Sequence, residues 1–84
     1  MPLLRWVAAD SSVFFSVAYL QSERTLYLHF RTGEIYRYFA VPPEEYRAFL
    51  AAESKGKYFA ANIRDQYVCE RLPRARARTA SASD

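Results

Sequence analysis

Three stretches in the first half of the chain are rich in β-branched and aromatic residues, and short polar breaks separate them. The stretches are residues 13–20, 25–31 and 34–40, with breaks at residues 21–24 and 32–33. Runs of this kind, bounded by polar or glycine-containing breaks, are typical of β-strands. We therefore predict a three-stranded antiparallel meander.

Gly33 determines how the second and third predicted strands pair. A two-residue type I′ turn would force a positive φ on the β-branched residue before the glycine, whereas a type I turn closed by a left-handed glycine requires that angle only of Gly33. In this register Leu28 pairs with Tyr36, and Leu26 pairs with Tyr38. We therefore expect both tyrosines on the core side of the sheet.

The opposite face of the predicted sheet mixes aromatic, basic and apolar side chains. The pairs on this face are Tyr27 with Arg37, His29 with Ile35, and Thr25 with Phe39. The apolar side chains on this face would form an exposed patch unless another segment or molecule covers them. A protein partner, a second copy of the chain and the chain's own residues 1–7 are the alternatives.

A helical pattern follows the two prolines that end the third strand. Pro43 suits the first helical position, and the two glutamates after it lie where negative charge favours the helix dipole. We predict a helix over residues 43–53 that covers the sheet with an apolar stripe of Tyr46, Phe49 and Leu50.

A second, shorter helix is predicted from an apolar spacing of four residues. Phe59, Ile63 and Tyr67 recur at this spacing, and the helix begins near Lys57. The glycine just before it ends the first helix or directly follows its end. Residues 67–72 are equally suited to an extra C-terminal strand, so both interpretations stay open.

Together these elements predict an α+β fold. A three-stranded antiparallel meander is covered on one face by a helix, with a short second helix and a possible extra C-terminal strand. A chain of 84 residues with 17% aromatic residues has room for one core built largely on rings. We place a single domain at residues 6–72 and a disordered, Arg-containing tail at residues 73–84.

The positive charge of the chain is concentrated in the predicted tail. The whole chain carries a net charge of +3, yet residues 1–70 contain eight Lys/Arg and eight Asp/Glu. Four arginines supply the excess: Arg71, just before the tail, and Arg74, Arg76 and Arg78 within it. Such a tail can add salt-sensitive contacts to phosphates.

Several classes of function have no basis in the sequence. One cysteine and one histidine cannot form an internal disulfide or a usual zinc site, and two glycines cannot build a phosphate-binding glycine loop. Nothing in the sequence brings His29 and Cys69 together as a catalytic pair. We expect a noncatalytic cytoplasmic domain without cofactor, metal or membrane association, as a monomer or weak homo-oligomer.

The order of small, aromatic and basic residues resembles the KTSC family, a short domain found at the C-terminus of some lysyl-tRNA synthetases. The residues that carry the resemblance are Ser11-Ser12, Tyr19, Leu26, Phe30, Gly33, Tyr36, Tyr38, Val41-Pro42, Ser54, Gly56, Tyr58-Phe59 and Ile63-Arg64. The resemblance covers about residues 7–72. The chain departs from the family pattern at Ala18, where glycine is frequent, and at Ala60, where asparagine is expected.

We interpret part of this signature as structural, because apolar side chains at these positions suit the core and the glycines and proline suit turns or helix ends. The residues with this interpretation are Gly33, Tyr36, Tyr38, Pro42, Gly56, Phe59 and Ile63.

The resemblance implies an RNA-binding module, and the chain offers rings for base stacking and cations for phosphates. The candidate contacts are Tyr27, His29, Arg37, Phe39, Lys55, Lys57, Arg64, Arg74, Arg76 and Arg78. The two lysines either hold a phosphate at the start of the second helix or form a solvated connector. A protein-interaction or accessory module with no nucleic-acid ligand is the alternative function.

Overall fold

A computed structural model describes residues 4–73 as one five-stranded antiparallel sheet with two helices. The strands follow chain order across the sheet: β1 Val7–Ala8, β2 Phe14–Leu20, β3 Thr25–Phe30, β4 Ile35–Tyr38 and β5 Cys69–Leu72. The helices, α1 Pro43–Ala51 and α2 Lys55–Asn62, lie between β4 and β5 along the chain. The predicted α+β class is confirmed, but the sheet has five strands in place of the predicted three-stranded meander: β1 was not predicted, and β5 is the C-terminal strand that had been left open. Arg74, Arg76 and Arg78 lie outside the described residues.

The turn at Gly33 forms as predicted and sets the β3–β4 register. Gly33 has a φ of 103°, and its N–H donates to the carbonyl of Phe30 at 2.9 Å. The N–H of Phe30 in turn donates to the carbonyl of Glu34 at 2.8 Å, as expected for a type I turn closed by a left-handed glycine. The predicted pairing of Tyr36 and Tyr38 with the leucines of β3 is confirmed.

The third predicted strand is too long at its C-terminal end. The chain bends after Tyr38, where Ala40 adopts a φ of 60° and the N–H of Phe39 donates to the carbonyl of Val68 at 2.9 Å. A positive φ takes the backbone out of the extended conformation that a ladder needs. The predicted pair between Thr25 and Phe39 is therefore not formed.

The two additional strands complete the edges of the sheet. β1 pairs with β2, and β5 pairs with β4 so that Cys69 lies opposite Tyr38. The chain is thus extended from Cys69 to Leu72, which favours the strand interpretation of residues 67–72. Because α2 ends at Asn62, Tyr67 does not continue its apolar stripe.

Both helices pack on the sheet face that carries the leucines of β3, and Phe14 lies at the centre of the core. Its ring meets Phe49 of α1 at 5.5 Å and Phe59 of α2 at 5.4 Å, both nearly perpendicular. Edge-to-face contacts of this kind are favoured between aromatic rings. The stripe of α1 is narrower than predicted, because Leu50 remains 37% exposed.

Two adjacent phenylalanines of β2 lie on opposite faces of the sheet, beside a shift in the register of the strand. Phe14 pairs with Phe30, but the register then shifts so that Ser16 pairs with His29. Phe14 is fully buried in the core, whereas Phe15 is 55% exposed. Alternation along the strand therefore supplies one ring to the core and another to the opposite surface, and the register shift returns Val17 to the core face.

The Glu45 carboxylate joins α1 to α2 and to the segment after α2. It accepts hydrogen bonds from the hydroxyl of Tyr58 and, at 2.9 Å, from that of Tyr67. The bond to Glu45, followed by burial, raises the pKa of Tyr58 to about 12. Burial, followed by the same carboxylate, raises the pKa of Tyr67. Both tyrosines must therefore keep their phenolic proton in order to donate to the carboxylate.

Gly56 lies in the first turn of α2. The prediction that it ends α1 or directly follows its end is therefore wrong. The helix begins after Ser54, whose hydroxyl accepts from the N–H of Lys57 at 3.2 Å. A Cβ at Gly56 would lie 2.7 Å from Cγ2 of Val13. The glycine therefore allows α2 to approach the segment before β2.

We expect Gly56→Ala to lower the free energy of unfolding by about 1 to 3 kcal/mol, because the added Cβ overpacks the contact with Val13. At an unconstrained helical position alanine would instead be the better residue. Denaturant unfolding measures the difference. In a Val13→Ala background the loss should largely disappear, and an undiminished loss there would contradict the steric origin.

We also expect the free energy of unfolding to fall as pH rises from about 10 towards about 12. An unfolded tyrosine ionises near pH 10, whereas Tyr58 keeps its proton to about 12. The folded state binds more protons in this range, so its stability decreases with rising pH. Tyr58→Phe should make the dependence less steep in denaturant unfolding at stepped pH. A slope equal to that of the unchanged chain would refute the role of this hydroxyl.

Candidate functional site

The sheet face opposite the helices, which we call the outer face, is covered by neither helix. Side chains alternate along a strand, so the β3–β4 register directs Tyr27, His29 and Arg37 to this face, as predicted. Phe39 lies beside them, since the guanidinium carbon of Arg37 is 5.4 Å from the centroid of its ring. The four predicted sheet contacts thus lie on one side of the sheet.

Tyr27 and Arg37 are held by neighbouring side chains on the outer face. Tyr27 is only 7% exposed, and the ring of Trp6 lies 6.3 Å from its ring. Arg37 donates from Nε to the Glu70 carboxylate at 2.7 Å. Hydrogen bonding to Tyr27, and then to Glu70, raises the pKa of Arg37 above its ordinary value. These contacts fix Tyr27 and Arg37 as part of the sheet surface.

A more accessible aromatic group lies next to them. The rings of Trp6 and Phe15 make edge-to-face contacts with His29, and their centroids lie 6.1 Å and 5.3 Å from that of the imidazole. Trp6 is 40% exposed and Phe15 is 55% exposed. Arg31 holds its guanidinium 5.6 Å from the centroid of Phe15, with Nε donating to the Ser11 carbonyl at 2.9 Å. We call Trp6, Phe15, His29 and Arg31 the aromatic platform.

Sequence reasoning missed three members of the platform. Two adjacent phenylalanines in a strand send one ring to each face, so the Phe14-Phe15 doublet was a usable signal. Arg31 shares the face of His29 by the same alternation. Trp6 was predicted as part of a covering segment at residues 1–7, and in the structure it covers Tyr27 while leaving much of its own ring exposed.

The two predicted lysine contacts lie elsewhere, in the first turn of α2. The hydroxyl of Ser54 already accepts from the N–H of Lys57, which removes one donor from any phosphate site. Asp10 and Glu53 line the same small hollow as Lys55. Carboxylates beside the helix start disfavour an anion, so the geometry favours the connector interpretation.

Arg64 lies on the helix side of the sheet, apart from the outer face. It lines a cleft of about 380 Å³ between α2 and the strands β3 to β5. Four aromatic rings also line this cleft, namely Phe30, Tyr36, Tyr38 and Phe59. Within residues 4–73, the residues predicted to contact RNA therefore lie in three places: the outer face, the start of α2 and this cleft.

The remaining signature residues lie in the core or at a helix start. Phe59 and Ile63 are buried in the core. The carbonyl of Pro42 accepts the first helical hydrogen bonds of α1, from the N–H groups of Glu45 and Tyr46 at 3.0 and 3.2 Å.

His29 and Cys69 lie on opposite faces of the sheet. His29 pairs with Ile35 and Cys69 pairs with Tyr38, and residues 35 and 38 of β4 point in opposite directions. The imidazole and the thiol therefore cannot make the contact that a thiolate dyad needs.

Within residues 4–73, no group of three His, Cys, Asp or Glu side chains is placed to hold a metal ion. Neither helix in this part of the chain is long and apolar enough to cross a bilayer.

Comparison with known families identifies the fold. The sequence profile of the KTSC domain matches residues 10–67, and the chain therefore belongs to the KTSC family. The crystal structure of a KTSC domain protein from Yersinia pestis aligns with a TM-score of 0.81 at 28% identity, covering 84% of this chain and 100% of that one. The resemblance predicted from the sequence is confirmed.

Two curated relatives place the domain in different contexts. An uncharacterized protein from Stutzerimonas stutzeri (strain A1501) is 38% identical over 64 residues, which cover 76% of this chain and 90% of that protein. A lysine–tRNA ligase from Nostoc punctiforme is 35% identical over 71 residues, which cover 84% of this chain and 12% of the ligase. The same small domain thus resembles both a short protein and a minor part of a large enzyme.

Proposed function

We propose that the chain is a noncatalytic module that binds single-stranded RNA through the aromatic platform. The observation that carries the proposal is the pair of exposed rings, Trp6 and Phe15, that flank His29 on the face that neither helix covers. Bases stack on aromatic side chains presented by a sheet, and each stacked base contributes about 1 to 3 kcal/mol.

The charge distribution supports stacking as the main source of affinity. The described residues contain nine Lys/Arg and eight Asp/Glu, so they carry little excess positive charge. Arg31 lies beside Phe15 and provides a cation for the backbone phosphate of a base stacked there. Binding by the platform should therefore depend only weakly on salt.

The relationship to a tRNA-charging enzyme supports RNA as the ligand. The Nostoc punctiforme relative is a lysine–tRNA ligase, and its similarity extends over 84% of this chain but only 12% of the ligase. A module shared with such an enzyme is consistent with a role near RNA.

Replacing Phe15 by alanine should weaken RNA binding by about fivefold or more, because the loss of one stacked base costs at least about 1 kcal/mol. Fluorescence anisotropy with a labelled single-stranded RNA measures the change, and Trp6→Ala should act in the same direction. Val68→Ala is the matched control, since Val68 is an apolar residue that is 74% exposed and lies outside the platform.

A chain ending at residue 73 separates the platform from the tail arginines. Removing Arg74, Arg76 and Arg78 should flatten the dependence of affinity on salt by about 0.7 logarithmic units per lost phosphate contact. The effect of Phe15→Ala should persist in the shortened chain. Equal binding by the Phe15 and Val68 variants, or complete loss of binding on shortening, would reject the platform as the RNA site.

A further inference from the structure

The cleft between α2 and the strands lies on the other side of the sheet from the aromatic platform, and RNA binding by the platform does not use it. We propose that this cleft binds a small molecule that combines one planar aromatic ring with one anionic group, a phosphate or a carboxylate. Its volume of about 380 Å³ is at the lower end of the usual range for small-ligand sites, about 300 to 1,000 Å³. The cleft has room for a ring with its substituents but not for an oligonucleotide.

The walls of the cleft are aromatic and hold one another in place. Tyr36 meets Phe30 at 5.6 Å with an interplanar angle of 80°, and Tyr38 meets Phe59 at 5.6 Å with an angle of 85°. Rings fixed by such contacts lose little freedom when a ligand binds, which favours affinity. A planar ring is the group that gains most from packing on these walls.

Arg64 provides the charge that selects an anion. Among residues 4–73 the ion pairs are those of Arg37 with Glu70 and of Arg71 with Glu34, so Arg64 is not engaged by a carboxylate. A guanidinium binds carboxylate and phosphate through two parallel hydrogen bonds. The other charged side chain that lines the cleft, Glu34, already has Arg71 3.8 Å away.

Tyr38 adds a neutral hydrogen-bond donor at the floor of the cleft. Burial, followed by the neighbouring thiol of Cys69, raises the pKa of Tyr38 well above its ordinary value. A phenol is already protonated at physiological pH, so the hydroxyl that lines the cleft can donate to the ligand. The cleft thus combines ring walls, one cation and one phenolic donor.

Cys69 offers a direct measure of occupancy. It is the only cysteine of the chain, it is exposed, and it lines the cleft. A bound ligand should slow its reaction with a thiol reagent. The probes are AMP and benzoate, which carry a ring with a phosphate or a carboxylate, adenosine, which lacks the anion, and inorganic phosphate, which lacks the ring.

The expected result is protection of Cys69 by AMP, by benzoate or by both, at concentrations at which adenosine and inorganic phosphate protect less. The stronger of the two ringed anions identifies which anionic group the cleft prefers. Absence of protection by both ringed anions overturns the proposal, and so does equal or stronger protection by adenosine or by phosphate alone.

Substitutions locate the site and separate it from RNA binding. Arg64→Gln should raise the concentration of ringed anion needed for protection by about tenfold, since a hydrogen bond to a charged group is lost. Arg47→Gln on α1 is the matched control, because it removes an exposed arginine that does not line the cleft. Phe15→Ala, which tests the platform, should leave protection unchanged.

Amide chemical shifts give a second readout on the full chain. The ringed anion that protects Cys69 should perturb the amides of Tyr36, Arg64 and Cys69 more than those of Trp6 and Phe15. An equal loss of Cys69 protection in the Arg64 and Arg47 variants would contradict the assignment of the ligand to the cleft. Amide shifts perturbed only on the outer face would contradict it too.

Discussion

The left-handed turn at Gly33 sets the register of β3 against β4, and the composition of both sheet faces depends on that register. Side chains alternate along a strand, so a slip by one residue would exchange the faces of β4. The guanidinium of Arg37 would then point into a core of rings, while Tyr38 would lose its packing against Phe59 of α2 and Tyr36 its packing against Phe30. Burial of an unpaired charge is far more costly than the turn itself. The glycine and the core thus favour the same register.

The domain accommodates many aromatic residues by giving them different surroundings. Phe14 joins rings from both helices in perpendicular contacts, so it holds α1 and α2 against the sheet. Three tyrosines place their rings at the border of this core and donate from their hydroxyls: Tyr19 donates to the carbonyl of Val41 at 2.5 Å, and Tyr58 and Tyr67 donate to Glu45. Phe15 and Trp6 remain on the outer face. The rings are thus divided among the core, its polar border and the exposed surface of the sheet.

The parts of the fold that depend on local chemistry could be predicted from the sequence. The register followed from one glycine, and the start of α1 followed from Pro43 and the glutamates after it. The positive φ of Ala40 could not be foreseen, because alanine carries no local signal for that conformation. β5 was ambiguous for a different reason, since its residues form a strand by pairing with β4, a contact between distant parts of the chain.

The candidate site was predictable only in outline for the same reason. Alternation placed Tyr27, His29 and Arg37 on the correct face, but their exposure depends on where Trp6 and Glu70 pack. Trp6 and Glu70 are far in sequence from Tyr27 and Arg37, the residues they contact, and no local sequence pattern indicates such contacts.

The shortness of β1 gives the two exposed rings of the platform different mechanical properties. β1 has two residues at the edge of the sheet, whereas Phe15 belongs to a strand that is paired on both sides. A short edge segment opens locally at a much lower free energy than the whole domain. Detachment of β1 would carry the indole of Trp6 away from Tyr27 and leave β2 to β5 paired. Trp6 is therefore the more easily displaced of the two exposed rings, while Phe15 stays with the central strands.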